Sequence, residues 1–266
     1  MKKLALVFSV LLLCAFAPPQ NSNTFALVQG IKINAKLIHT DNFGNLYVVT
    51  KTNQLTKYGR QGTVITTLNY NNAGNITQID ASNPMQIYLF YRELNKVVML
   101  DNNLAYRGEI NLTKAGIIQA SAIARSYDNN VWVFDLGDLQ LKKVSTQNEI
   151  EQTSGNIRQY IVDNAAVTSL FDNGERLFMV DSTNGILVFD VFASYQKTIP
   201  LKGIAEVKIL DKYFFYYANQ KLNKYNWQTG QSNSYNMPDT ANVIKLSIEK
   251  ERLYLQKPDS VYLYSY

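Results

Sequence analysis

Cysteine and histidine are almost absent from this sequence: Cys14 and His39 are single examples among 266 residues. A disulfide within one chain needs two cysteines, and protein zinc sites are built mainly from Cys and His side chains. No serine lies in a nucleophile-elbow motif, so a Ser-His-Asp triad is not predicted either. The sequence therefore predicts no thiol chemistry in the folded domain, no His-based metal site and no cofactor.

Charged residues and long apolar runs are also scarce. Only 18% of the residues are charged, whereas 46% are hydrophobic, which is typical of a folded domain with a sizeable core. The formal net charge of +5 is spread along the chain, and no basic run would follow a phosphate backbone, so a nucleic-acid partner is not predicted. Beyond residue 20 no apolar run approaches the ~20 residues of a transmembrane helix, and no membrane span is predicted.

The first twenty residues have the pattern of an export signal. Lys2 and Lys3 form a positive start, and Leu4 to Leu13 form a mostly apolar stretch that is too short to span a bilayer. We therefore predict a signal peptide over residues 1–20 and an exported protein, located in the periplasm or at the outer membrane.

Processing of this signal has three possible outcomes. Ala15-Phe16-Ala17 is a small-x-small cleavage pattern, but Pro18 directly after it disfavours cleavage there. Cys14 follows the apolar stretch at the place where a bacterial lipoprotein carries its lipidated cysteine, although Leu13 replaces the usual small residue before it. The alternatives are soluble export, an N-terminal lipid anchor on Cys14 and an uncleaved signal.

The strongest pattern in the sequence is an internal repeat. A polar turn is followed by a pair of hydrophobic or aromatic residues, and 8 to 10 residues later by a second apolar alternation. The six pairs, here called the anchor pairs, are Leu46-Tyr47, Ile87-Tyr88, Val131-Trp132, Leu177-Phe178, Phe214-Phe215 and Leu253-Tyr254. Their spacings are 41, 44, 46, 37 and 39 residues. Such a period is typical of a propeller or solenoid.

Each repeat also contains a short alternating run before its polar turn, and often another after the second alternation. Four short antiparallel strands in about 40 residues form one propeller blade, so we predict an all-β, six-bladed β-propeller over residues 24–266. The last repeat ends without a fourth strand, and Thr24 to Ile31 belongs to no repeat. We expect this segment to pair with Tyr262 to Tyr264 and to close the ring, which removes an exposed sheet edge.

Two repeats resemble a known family. The residues Asp41, Gly44, Asn45, Tyr47 and Val48, followed by Leu55, Tyr58 and Gly62, are similar to an NHL repeat, and so is the segment from Val180 to Phe189. The chain thus resembles the NHL and TolB-like group of six-bladed propellers. This resemblance implies a platform for binding or scaffolding more often than an enzyme.

The candidate site lies where the second strand of a blade gives way to the third. Asp135 and Asp181 each follow their anchor pair by the same offset, so they should sit at equal height near the channel. Two such carboxylates could contribute to a calcium site, as in six-bladed hydrolases of related shape, or could accept backbone hydrogen bonds within their own loops. Tyr91 and Arg92 lie on the same predicted rim and are residue types enriched at interaction hot spots.

These observations favour one function over two others. The first is a non-catalytic interaction or scaffolding module with a protein partner, as a subunit of a bacterial envelope assembly. The second is a channel-centred small-ligand binder or metal-dependent, lactonase-type hydrolase that uses Asp135 and Asp181. The third is a structural stabiliser of a partner without a discrete site. His39, in an inner strand, is expected to be a packed core residue.

Overall fold

The computed structural model describes residues 25–69, 74–161, 165–204 and 206–266. Twenty-four strands form six antiparallel sheets of four strands each, and the sheets are the blades of a β-propeller. The predicted fold class and blade number are confirmed. The predicted signal peptide over residues 1–20, with Cys14, lies outside the described residues. Within the described residues, no helix is long and apolar enough to cross a membrane.

The strands follow the predicted repeats, with four in each blade from the inside of the ring to the outside. Blade 1 consists of β2 (Ala35–Thr40), β3 (Leu46–Thr50), β4 (Gln54–Tyr58) and β5 (Val64–Asn69). Blade 2 consists of β6 (Gln78–Asn83), β7 (Gln86–Tyr91), β8 (Lys96–Asp101) and β9 (Tyr106–Asn111). Blade 3 consists of β10 (Ala120–Arg125), β11 (Val131–Asp135), β12 (Gln140–Val144) and β13 (Ile150–Thr153).

The second half of the ring repeats this order, with short 3-10 turns at Arg92–Leu94 and Arg158–Tyr160 in the connections. Blade 4 consists of β14 (Val167–Asp172), β15 (Arg176–Asp181), β16 (Gly185–Asp190) and β17 (Tyr195–Ile199). Blade 5 consists of β18 (Lys208–Leu210), β19 (Tyr213–Ala218), β20 (Lys221–Asn226) and β21 (Ser232–Asn236). Blade 6 consists of β22 (Lys245–Glu249), β23 (Arg252–Lys257), β24 (Ser260–Ser265) and β1 (Ala26–Lys32).

The anchor pairs occupy the second strand of every blade, where the sheet is covered on both faces by neighbouring blades. Buried strands of this kind carry long apolar runs because both faces pack, as in Leu46–Thr50 and Gln86–Tyr91. The largest fully buried side chains include Tyr47, Tyr88 and Trp132 from these pairs. The core of the protein therefore consists of the six interfaces between adjacent blades.

The ring closes as the sequence predicts, because the N-terminal strand β1 completes the last blade. It pairs antiparallel with β24, with Leu27 opposite Tyr264 and Gly30 opposite Tyr262. The strand begins at Ala26 and extends one residue beyond the predicted end, to Lys32. The two ends of the described chain are thus joined in one sheet.

Adjacent blades are also joined by hydrogen bonds from the aromatic member of an anchor pair to the turn of the next blade. The Tyr88 hydroxyl donates to the Asn129 carbonyl at 2.6 Å, and the Trp132 indole donates to Asp172 at 3.0 Å. At the closure, the Tyr254 hydroxyl donates to the Gly44 carbonyl at 2.6 Å. A buried hydrogen bond of this kind fixes where one blade meets the next, because an unpaired donor there would cost free energy.

Two anchor pairs lack this donor. Phe178 and Phe215 stand at the equivalent positions of blades 4 and 5, and a phenyl ring has no hydrogen-bond donor. Phe178 instead packs edge-on against Phe214 and Trp227 of blade 5, with ring centroids 5.3 Å apart in both pairs. Phe178 and Phe215 therefore make no polar link to the next blade of the kind that Tyr88, Trp132 and Tyr254 make.

Loss of β1 is expected to disrupt folding. In a chain lacking residues 1–32, β24 becomes the exposed edge strand of blade 6. We expect this chain to aggregate or to lose the cooperative unfolding transition. A chain lacking residues 1–24 retains β1 and serves as the control. Calorimetry and size-exclusion chromatography compare the two. Equal melting temperatures for both chains would show that β1 does not hold the ring together.

Candidate functional site

The propeller has two faces that carry different kinds of connection. The turn face, as we name it, bears the turns between the first and second strands and between the third and fourth strands of each blade. The loop face bears the connections between the second and third strands and those that lead into the next blade. The site predicted from the sequence lies on the loop face.

Asp135 ends strand β11 and is fully buried. Its carboxylate accepts hydrogen bonds from the backbone N–H groups of Ile118 at 2.9 Å, Gln119 at 2.8 Å and Gly137 at 3.1 Å. It also pairs with the Lys142 ammonium at 2.9 Å. Burial alone would raise the pKa of Asp135, but these donors outweigh it and lower the pKa below its ordinary value. Asp135 thus fixes the connection that enters β10.

Asp181 has the same position and the same role in blade 4. One of its carboxylate oxygens accepts from the backbone of Thr183 and Asn184, and the other accepts from Ala166 and from the Asn184 amide. Every oxygen of both aspartates is therefore occupied by its own blade. The described residues contain no group of three or more His, Asp or Glu side chains placed to hold a metal ion. A shared calcium site at Asp135 and Asp181 is not supported by this geometry.

Tyr91 and Arg92 differ in their surroundings. Tyr91 does not present an exposed aromatic face as expected, because strand β7 includes it and its side chain is 0% exposed in the core with Ile87 and Leu89. Arg92 is exposed, and its guanidinium donates to the Ser121 carbonyl of blade 3 at 2.6 Å. Binding at this rim stays a prediction, and Arg92 is the one of these four residues that is accessible to a partner.

The turn face carries an exposed apolar set that the sequence reasoning overlooked. Phe43, Met85 and Tyr127 lie in the turns between the first and second strands of blades 1, 2 and 3, and they are 62, 60 and 62% exposed. We call these three residues the apolar arc. Three large apolar side chains are thus exposed in the same turn of three consecutive blades, on one face of the ring.

Each turn of the apolar arc is held by hydrogen bonds that leave its apolar side chain outside. Asp41 accepts from the backbone of Phe43 at 3.0 Å and of Asn45 at 2.9 Å, and the Met85 N–H donates to the Asn83 side chain at 3.0 Å. Short Asx-type bonds of this kind satisfy the turn backbone locally. The exposed side chains thus lie in turns whose backbone groups are hydrogen-bonded locally.

A signal for the apolar arc was present in the sequence. Positions 43, 85 and 127 are 42 residues apart, so a large apolar residue recurs inside the polar turns of three successive repeats. The repeat is defined by the anchor pairs in the strands, and the turns between them are treated only as polar connections. The exposed apolar residues of the loop face do not recur at one place in the repeat. Leu94 lies between the second and third strands of blade 2, whereas Ile118 and Ile244 lie in the connections that lead into blades 3 and 6.

The channel contains a cavity of about 640 Å³ that lies off the centre of the ring. It is lined by the first strands of blades 1, 2, 4, 5 and 6, but not by β10 of blade 3. The small residues Ala122 and Ala124 of β10 let that strand pack directly against β14, in one core cluster with Leu170. The free space is therefore displaced toward blade 5, whose first strand β18 has only three residues.

Two ion pairs involve the lysines that line the inner part of the cavity. Lys208 pairs with Glu249, and Lys245 pairs with Glu206 at 2.7 Å. Glu249 also accepts from the Thr40 hydroxyl at 2.8 Å, and burial raises the pKa of its carboxyl despite the nearby Lys208. These pairs link the first strands of blades 1, 5 and 6 across the channel.

His39 lines the same cavity from β2 and is only partly exposed, toward the channel. Burial first, and then the positive charges of Lys208 and Lys245, lower the pKa of His39 well below its ordinary value of 6.5. The imidazole is therefore neutral at physiological pH. His39 thus lies in an inner strand as predicted, but its side chain lines the channel cavity and is not a packed core residue.

Comparison with known proteins shows the fold only. No family model and no curated protein matches this sequence. Virginiamycin B lyase from Staphylococcus aureus has a similar structure, with a TM-score of 0.64 at 12% identity over 91% of this chain and 100% of that chain. The NHL and TolB-like group is not singled out by these matches, whereas the propeller fold is shown.

Two further structures are similar over nearly the whole chain. BamB from Moraxella catarrhalis has a TM-score of 0.56 at 12% identity and covers 91% of this chain and 98% of its own. A protein described as exported, from Bacteroides fragilis, has a TM-score of 0.59 at 12% identity and covers 90% and 94%. At such identities these matches carry no activity or partner over to this chain.

Substitution of Tyr91 and of Arg92 should have separate effects on stability. Tyr91→Ala empties a fully buried position and is expected to lower the free energy of unfolding by about 3 kcal/mol or more. Arg92→Ala removes an exposed side chain with one hydrogen bond and should cost less than about 1.5 kcal/mol. Urea denaturation measures both. A harmless Tyr91→Ala would show that this side chain is not part of the core.

The neutral state of His39 predicts a dependence of stability on pH. Below pH 6.5 the unfolded chain binds a proton at this residue and the folded chain does not, so stability falls as the pH falls. Between pH 6.5 and 5 the wild type should lose up to about 2 kcal/mol more than His39→Gln. Glu249 acts in the opposite direction and is present in both proteins. Parallel pH profiles would contradict the assignment.

Proposed function

We propose that this protein is an exported, non-catalytic interaction module that binds a protein partner in a bacterial cell envelope. The observation that carries the proposal is the apolar arc of Phe43, Met85 and Tyr127. Exposed apolar patches on a folded domain mark interaction sites, and aromatic residues and methionine are enriched at the centre of interfaces. The proposed surface for the protein partner is therefore the turn face of blades 1 to 3.

The arrangement of the arc fits a protein surface better than a small molecule. The three side chains come from the turns of separate blades, are exposed, and do not line the channel cavity. Small ligands are bound in clefts, whereas protein partners can cover an exposed arc. Polar groups lie around the apolar residues, such as Asp128, which pairs with Lys143 beside Tyr127. An apolar centre with a polar rim is the usual composition of an interface.

The comparisons support an envelope location without establishing it. Structures of similar fold include BamB and a protein described as exported. The export signal predicted over residues 1–20 points to the same compartment, with Cys14 as a lipid anchor in one of its three outcomes. The partner is thus expected among proteins of the periplasm or of the outer membrane.

The channel-centred hydrolase is the weaker candidate. It required Asp135 and Asp181 to share a cation, and both carboxylates instead hold the connections of their own blades. Virginiamycin B lyase shows that a propeller of similar fold can be an enzyme, but 12% identity gives no residue correspondence. We therefore propose the non-catalytic role, because it accounts for the exposed residues of the apolar arc.

Replacement of the apolar arc should abolish partner binding and leave the fold intact. The triple variant Phe43→Ser, Met85→Ser, Tyr127→Ser changes only exposed side chains, so the melting temperature should stay within a few degrees. Recovery of envelope proteins that co-purify with the wild type should fall at least about tenfold, because each lost anchor is worth about 1–2 kcal/mol.

The matched control carries three serine substitutions on the loop face, at Leu94, Ile118 and Ile244, which are comparably exposed. It should retain the co-purifying proteins in wild-type amounts. Retention of the same proteins by the arc variant, or their equal loss from both variants, would contradict the proposal. Quantitative mass spectrometry of the co-purified material makes the comparison.

A further inference from the structure

A second surface lies on the turn face opposite the apolar arc, where the cavity opens between blades 4 and 5. The first strands of these two blades, β14 and β18, make little contact with each other. The turns of both blades line the cavity at this end, and they contribute Asn173, Glu175 and Asp211. We call this end the mouth of the cavity.

The mouth carries planar polar side chains that the protein itself does not use. Glu175, Asp211 and Gln228 are exposed there, and within the described part of the chain their side chains make no hydrogen bond. By contrast, Asp172 beside them is occupied by Ser126, Trp132 and the Gly174 backbone. Carboxylate and amide groups have fixed, planar acceptor and donor geometry, which suits pairs of adjacent hydroxyls on a ligand.

Aromatic rings form the wall behind these polar groups. Phe171 of β14 and Trp227, which follows β20, both line the cavity and belong to the core cluster between blades 4 and 5. Phe171 is half-buried, and Trp227 is 7% exposed. Trp227 lies against Phe178 at the same interface. Flat apolar faces next to planar polar groups match the two sides of a sugar ring, which presents C–H groups on one face and hydroxyls at its edge.

Charge argues against an ionic ligand in the interior. The two lysines that line the inner part of the cavity are neutralised by Glu249 and Glu206, and His39 is uncharged at neutral pH. A charged ligand would have to break an existing ion pair or be buried without a partner, and both cost free energy. The volume of about 640 Å³ falls within the range of small-molecule sites, about 300 to 1,000 Å³.

From this geometry we infer that the mouth between blades 4 and 5 binds an uncharged carbohydrate, with Glu175, Asp211 and Gln228 holding its hydroxyls and Phe171 and Trp227 packing against its ring. This site is separate from the apolar arc, so it does not depend on the proposed function. The two halves of the turn face thus recognise different chemistry, an apolar protein surface on blades 1 to 3 and a neutral sugar on blades 4 and 5.

Calorimetric titration of the full chain with neutral saccharides tests the inference. The probes are glucose, N-acetylglucosamine and their β-linked disaccharides, with glucuronate and glucosamine as an anionic and a cationic counterpart. At least one neutral saccharide should bind, more tightly than either charged probe, and should change the fluorescence of the chain, which has only two tryptophans, one of them Trp227 at the mouth.

Variants locate the binding. The double variant Glu175→Ala, Gln228→Ala removes two hydrogen-bonding side chains and should weaken binding of that saccharide by about tenfold or more. The control, Gln147→Ala, Glu149→Ala, removes the same two residue types from an exposed turn of blade 3 and should leave binding unchanged. Absence of saccharide binding, preference for a charged probe, or equal affinity of both variants would overturn the inference. Melting curves show that both variants are folded.

Discussion

Packing of the aromatic member of each anchor pair against the next blade is the interaction on which this ring depends. Tyr88, Trp132 and Tyr254 each reach a neighbouring turn at 2.6 to 3.0 Å from a fully buried or nearly buried ring. One residue thereby combines apolar burial with a directional bond and fixes how far one blade stands from the next. Adjacent blades with this bond are closely joined at the turn face.

Blades 4 and 5 lack this bond, because Phe178 and Phe215 have no hydrogen-bond donor. These two blades pack through aromatic contacts instead, and the cavity opens at the turn face there. In blade 1 the Tyr47 hydroxyl donates to Asp41 of its own turn, whereas Tyr88 joins blade 2 to the turn of blade 3. The turn face thus presents the apolar arc on blades 1 to 3 and the opening of the cavity on blades 4 and 5.

Much of the fold could be predicted from the sequence because its signals are local and repeated. Six anchor pairs define six blades, and the missing fourth strand of the last repeat points to closure by the N-terminal segment, which β1 provides from Ala26. The predicted loop position of Tyr91 is wrong, because the loop was assumed to begin at a fixed number of residues after the anchor pair. The alternation of Ile87 and Leu89 continues through Tyr91, so strand periodicity would have placed it in the core.

The candidate site was less predictable for physical reasons. The oxygens of Asp135 and Asp181 are occupied by backbone groups of connections, such as those of Ile118 and Ala166, which follow no sequence pattern. The off-centre cavity depends on the close approach of β10 to β14, a contact between strands more than forty residues apart that only small residues permit. The apolar arc, by contrast, is visible in the sequence once the turns are compared with one another.

Site-specific photocrosslinking in cells tests the central claim, that the turn face of blades 1 to 3 is a protein-binding surface. A photoreactive phenylalanine analogue is placed in turn at positions 43, 85 and 127, and for comparison at positions 94, 118 and 244 on the loop face. The account predicts one envelope protein crosslinked from all three arc positions and from none of the three others. Crosslinks to that protein from the loop-face positions alone would contradict it.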